Sequence, residues 1–119
     1  MRIVVIGQAA FGEKTLEALL EKGENVVGVF TPPDKPGGKA DPLKSLAASR
    51  NIEVIQPAAY RDEAVFDRYR DLKPDLAILA FVTAIIPARY FEAATHGAIC
   101  YHPSILPRHR GASAINWAV

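Results

Sequence analysis

Ile3-Val4-Val5-Ile6-Gly7, then Glu13 to Lys22, then Val26 to Phe30: this opening decides the fold. The first run is apolar, β-branched and continuous, as a strand buried on both faces requires. Within Glu13 to Lys22, Leu16, Leu19 and Leu20 recur at helical spacing. Gly23 stands where a helix C-terminus favours a residue tolerant of positive φ. Val26 to Phe30 is a second buried-strand pattern. Strand, helix and strand within about thirty residues form a βαβ unit.

The pattern continues outward. Thr31 to Pro42 holds Pro32, Pro33, Pro36 and Pro42 with Gly37 and Gly38, a composition that fits neither strand nor helix. A loop of that length in a compact domain is more often functional or mobile than idle. Leu43, Leu46 and Ala47 give a short helix face ending near Asn51, and Glu53 to Gln56 reads as a strand. Val65, Tyr69 and Leu72 mark a third helix, which Pro74 ends. Asp75 to Phe81 is a further strand, Pro87 to Ala94 a short helix opened by proline, and Ala98 to Tyr101 the last strand. Ala114 to Val119 reads as the opening turn of a helix that stops in mid-element, so the chain is expected to be a fragment. The implied class is α/β: a Rossmann-like, mostly parallel sheet with right-handed crossovers and flanking helices. The expected strand order is 3-2-1-4-5. The crevice then lies outside the carboxyl ends of the first and fourth strands, where the winding reverses. Gly7 to Gly12, Phe81 to Pro87 and His102 to Gly111 converge there.

Composition narrows the function. The 119 residues make one domain, 50% hydrophobic and 23% charged, as in a soluble globular protein. A net charge of +1 lacks the basic excess of a DNA or RNA binder. The single cysteine, Cys100, excludes an intrachain disulfide framework and a multi-cysteine zinc site, and no metal is expected. No apolar run is long enough for a signal peptide or membrane span, so the expected setting is cytoplasmic with no membrane partner.

Gly7-Gln8-Ala9-Ala10-Phe11-Gly12 has the wrong spacing for a dinucleotide fingerprint and lacks the Lys-Ser/Thr of a phosphate loop. No acidic residue ends the second strand. The plainer reading, a tight turn with close helix packing, outweighs phosphate binding, and neither NAD nor ATP is expected. His102 is the sharpest single residue. It follows a strand's carboxyl end, and an imidazole titrates near neutrality. A hydrogen-bonded structural role is its competing reading. Pro103 and Pro107 stiffen the loop that follows, and Leu106-Pro107 is a candidate cis peptide. Arg108 and His109 read as a solvated rim, Arg110 as a loop anchor, and His96 as a surface turn residue. Phe81-Val82-Thr83-Ala84-Ile85-Ile86-Pro87 reads first as core, and second as a flat slot whose backbone meets a heterocycle. Cys100 reads as a small buried hydrophobe.

His102-Pro103-Ser104-Ile105-Leu106-Pro107, with Arg110-Gly111 and Asn116-Trp117, resembles the signature loop of the folate-dependent formyltransferase family. Val26 to Thr31, Pro33-Asp34-Lys35 and Gly38 to Leu43 look most like that family's branch with the amino-terminal hydrolase domain of 10-formyltetrahydrofolate dehydrogenase. The likeness spans essentially the whole chain. Methionyl-tRNA formyltransferase is a weaker match, typically having alanine where Pro103 stands.

The resemblance implies a one-carbon enzyme using 10-formyltetrahydrofolate as formyl donor, with water or an amine as acceptor. It implies His102 as the catalytic residue, and a folate pocket made by Phe81, Val82, Thr83, Ala84, Ile85 and Ile86 with Ser104, Ile105, Leu106 and Pro107. Two departures stand out. Cys100 occupies the position of the asparagine that most members carry two residues before the histidine, as in the hydrolase branch. The family's aspartate lies past residue 119. The alternatives are a methionyl-tRNA or sugar-nucleotide formyltransferase, and a non-catalytic folate-binding fragment.

Overall fold

The computed structural model describes residues 1–101 and 115–117, for the last three of which, as for Tyr101, only the backbone course is given. Strand β1 (Arg2–Gly7) passes through helix α1 (Ala9–Glu21) to β2 (Asn25–Phe30). Helix α2 (Pro42–Ser49), β3 (Glu53–Ile55), α3 (Glu63–Asp71) and β4 (Leu76–Ala80) follow. Helix α4 (Ala88–Ala93), β5 (Ala98–Tyr101) and β6 (Ile115–Trp117) complete the sequence of elements.

The sheet runs β3-β2-β1-β4-β5-β6. All pairs from β3 to β5 are parallel, and β6 lies antiparallel on β5. The expected order of the first five strands is the order observed. The expected helix at Ala114 to Val119 is not: residues 115–117 are a strand. Ile115 and Trp117 flank Asn116, so the tripeptide also satisfies a strand's alternation of two, and pairing with β5 decides between the readings. Helix α1 begins at Ala9, earlier than the leucine spacing indicated, because its first turn is spent on the strand-to-helix bend. Pro87 caps α4 rather than opening it.

Both faces of the sheet are covered, which is why the strands read as unbroken apolar runs. Ile3 and Val5 pack with Leu16 of α1 and Leu43 and Ala47 of α2. Val4 and Ile6 point the other way, into Phe30, Tyr69 of α3 and Tyr90 of α4. Each such side chain, withdrawn fully from water, contributes about 1.5–3 kcal/mol.

Strand β2 needs one extra residue to keep this alternation. Ile3 pairs with Val26 but Val4 pairs with Gly28. Val27 and Gly28 therefore oppose one residue of β1, as in a β-bulge. Both lie toward α3: Val27 packs on that side's core, and a Cβ on Gly28 would stand 2.6 Å from Leu72. Past the bulge, Val29 and Phe30 return to the opposite faces that Val5 and Ile6 occupy.

At the carboxyl ends of β1 and β4 the backbones nearly touch. A Cβ on Gly7 would lie 2.1 Å from the Ala80 carbonyl oxygen, so only glycine fits. Gly12 plays the corresponding role between helices, where a Cβ would meet Leu43 at 2.9 Å. The tight turn with close helix packing expected of Gly7 to Gly12 is what the structure contains.

Candidate functional site

The winding reverses between β1 and β4, and a cavity of about 430 Å³ opens beyond their carboxyl ends. Gly7 and Gln8 wall it from β1, Pro32 and Pro33 from the exit of β2, and Phe81 to Ile85 from the exit of β4. Apolar side chains supply most of this lining, with few polar groups to fix a ligand's orientation, as is usual for small-molecule sites.

Five of the six residues expected from the β4 loop line the cavity: Phe81, Val82, Thr83, Ala84 and Ile85. Ile86 does not. Its side chain packs against the aromatic core, since the chain must turn inward there to enter α4. Phe81 is half exposed and holds φ at +63°, the left-handed region that side chains with a Cβ rarely adopt. Ile85 is 91% exposed, an unusual position for isoleucine and one that leaves its apolar surface at the mouth. Gln8 Nε2 donates to Thr83 Oγ1 at 3.1 Å, joining the β1 and β4 exits across the opening.

The stretch from Pro57 to Arg61, after β3, also lines the cavity, and sequence reasoning missed it. Its one signal was Pro57-Ala58-Ala59-Tyr60, an apolar run too short and irregular for a strand or helix. From the cavity wall Tyr60 reaches into an aromatic cluster with Phe30, Phe66, Tyr69 and Tyr90, ring centroids 4.8 to 6.3 Å apart. The Tyr90 hydroxyl donates to the Tyr60 carbonyl at 2.6 Å. Burial pushes the Tyr90 phenol up to about 12 and raises Tyr60 and Tyr69 further. All three stay neutral near neutral pH and form structure rather than proton-transfer groups.

The turn from β1 into α1 is tied from outside. Ala9 sits at φ +64°, a conformation costing an ordinary residue about 1–2 kcal/mol. Its N–H donates to both carboxylate oxygens of Asp41, at 2.9 and 2.8 Å. Asp41 Oδ1 also accepts from Leu43 N–H at 2.9 Å as the N-cap of α2. Bonds to a charged acceptor contribute about 1.5–3 kcal/mol, enough to offset the strain. The other end of the long loop is held too. Asp34 pairs with Lys44 at 2.5 Å and accepts from Gln56 at 3.0 Å, and these bonds hold its carboxyl below the usual range. Between the two anchors, residues 35–40 are exposed.

Strand β5 delivers the chain to the same end of the sheet, with Tyr101 paired to Ala80, the residue before Phe81. His102, Ser104, Ile105, Leu106 and Pro107, the candidate cis bond before Pro107, and the basic group from Arg108 to Arg110 lie outside the described residues. Cys100 is half-buried against the α3/α4-side core, and burial pushes its thiol up, so it stays protonated. His96 is exposed in the turn before β5. Among the described residues no group of three or more His, Cys, Asp or Glu could hold a metal ion, and no helix is long and apolar enough to cross a membrane.

A mostly parallel sheet wound in both directions, with an apolar cavity at its switch point, defines a doubly wound α/β domain. Its family follows from comparison. The formyl transferase family matches residues 1–119, and the chain belongs to that family. It is 47% identical to the cytosolic 10-formyltetrahydrofolate dehydrogenase of Xenopus tropicalis over 124 aligned residues, covering all of this chain and 14% of that protein. It is 40% identical to the methionyl-tRNA formyltransferase of Alkaliphilus oremlandii, again over its whole length and 40% of that enzyme's. The chain thus spans a minor part of both relatives. Phosphoribosylglycinamide formyltransferase from Anaplasma phagocytophilum shares the fold, with a TM-score of 0.67 at 20% identity, over 96% of this chain and 55% of that one. Glycinamide ribonucleotide transformylase 1 from Symbiobacterium toebii matches with a TM-score of 0.66 at 22% identity, over 96% and 57%.

Proposed function

We propose that this domain binds 10-formyltetrahydrofolate and releases its formyl group, with water as acceptor. The observation that carries the reading is the switch-point cavity walled by Phe81 to Ile85. A reduced pterin suits an apolar cavity with few polar groups, and the folate-named dehydrogenase relative aligns over the whole chain.

His102, the residue after Tyr101, is the proposed catalytic group. Water adds to the formyl carbon and gives up one proton to the surrounding solvent, leaving a tetrahedral oxyanion. An imidazolium stabilises that charge and then donates its proton to N10 as the carbon–nitrogen bond breaks. Formate and tetrahydrofolate leave. Ser104, Ile105, Leu106 and Pro107 are the proposed further pterin contacts, together with the β4 loop. Neither a metal nor a nicotinamide enters these steps, and the proposed setting is cytoplasmic.

Water is favoured over an amine as acceptor by two observations. The dehydrogenase relative is more similar than the methionyl-tRNA formyltransferase, at 47% against 40%. Cys100 stands where most formyltransferases place an amide side chain, and its half-buried thiol cannot supply that donor.

The test uses the whole encoded protein. His102→Ala is expected to lower formyl release by about 10²-fold or more while donor binding persists. Unchanged turnover removes His102 from the mechanism. Charged initiator tRNA, a UDP-amino-sugar and water alone, offered separately, identify the acceptor.

A further inference from the structure

The turn from the first strand into the first helix is where a doubly wound sheet ordinarily receives an anion. Backbone N–H groups converge there and the helix dipole adds partial positive charge. In this chain the seat already holds a negative group. Both oxygens of Asp41 lie within 2.9 Å of the Ala9 nitrogen, and one of them also takes the Leu43 N–H at 2.9 Å. One carboxylate thus serves the positive ends of two helices, α1 of 13 residues and α2 of 8. Asp41 is half-buried, so water screens its charge only in part. Gly7 and Gln8, directly before Ala9, wall the cavity.

We propose that Asp41 is a specificity-determining residue, a built-in anion that closes the β1–α1 turn to phosphate. A phosphate brought to Ala9 would meet a like charge and would have to displace bonds already made. A ligand in the cavity therefore presents an uncharged part to Gly7 and Gln8, and a substrate whose recognition needs a phosphate at this turn is refused. The inference is independent of the one-carbon reading, since it concerns only which groups the turn accepts.

Amide resonances of Ala9 and Ala10, followed in ¹⁵N-labelled protein during titration with inorganic phosphate and with ribose 5-phosphate, test it. In the wild type neither amide shifts saturably up to tens of millimolar. In Asp41→Ala both shift, with phosphate binding at least about tenfold tighter than in the wild type. Asp41→Asn keeps an acceptor oxygen and removes the charge, so it gains binding to a smaller degree. Saturable shifts at Ala9 in the wild type overturn the proposal. So does a folded Asp41→Ala or Asp41→Asn variant that stays as unresponsive as the parent. If the alanine variant does not fold, the asparagine variant and the wild-type titration decide. Donor binding, measured on the same samples, bears on the proposed reaction and leaves this result untouched.

Discussion

The chain leaves the sheet at β1 and at β4 side by side, through two exits built on opposite principles. Both place a residue with a side chain at positive φ, Ala9 at +64° and Phe81 at +63°. At the β1 exit, strain is held by a carboxylate from a distant loop, and the glycine before it permits a backbone approach that nothing larger would. At the β4 exit the strained residue is a half-exposed aromatic ring, followed by an isoleucine almost fully in water. One exit is fixed by internal bonds. The other holds apolar surface at the mouth of a cavity, uncovered among the described residues. Strained residues gather at functional sites when the surrounding structure over-determines them. Here the rigid exit positions the cavity's wall, and the exposed one supplies the surface proposed to meet the ligand.

Substitutions break this comparison at its strongest points first. Gly7→Ala drives a methyl into the Ala80 carbonyl and is expected to cost about 3 kcal/mol, measured by denaturant unfolding. A loss under about 1 kcal/mol means the β1 and β4 exits can part. Asp41→Ala removes the tie on Ala9 and the α2 cap together and should cost about 2 kcal/mol. Phe81→Gly separates strain from contact. It relieves the left-handed conformation, so stability should stay within about 0.5 kcal/mol of the parent. Affinity for 10-formyltetrahydrofolate should nevertheless fall about tenfold, read by equilibrium fluorescence titration. If affinity holds and stability falls, the β4 exit is structural and the contrast collapses.

The smallest effect lies at the far end of the same two strands. Asp75 accepts the Arg2 N–H at 2.7 Å, and this bond holds its carboxyl below the usual aspartate range. A depressed folded pKa gives stability that is complete above the unfolded value and is lost as pH falls through the folded one. Asp75→Asn should flatten the acid limb of the stability–pH curve slightly, without altering donor binding at neutral pH.

The β1–α1–β2 opening was legible because burial on both faces leaves apolar runs with no polar interruption. The Phe81 to Ile85 wall was legible because strand order places the β4 exit at the switch point. The bulge at Val27 and Gly28 was not, since Val26 to Phe30 looks equally like a regular strand until register with β1 is known. Ile86 differs from its neighbours only through the entry angle of α4, which no periodicity encodes. The Asp41–Ala9 tie joins residues 32 positions apart and leaves no local pattern. Pro57 to Tyr60 was passed over because irregular backbone carries no repeat to detect.

The aromatic cluster gives the protein a reporter of its own. The chain has 4 tyrosines, and Tyr60, Tyr69 and Tyr90 all belong to that cluster. Near-ultraviolet circular dichroism in the phenol band therefore carries a contribution from packed rings, one of which, Tyr60, lines the cavity. A ligand that tilts those rings will announce itself optically, without any label, and a variant that loosens the cluster will dim the same signal before its helices melt.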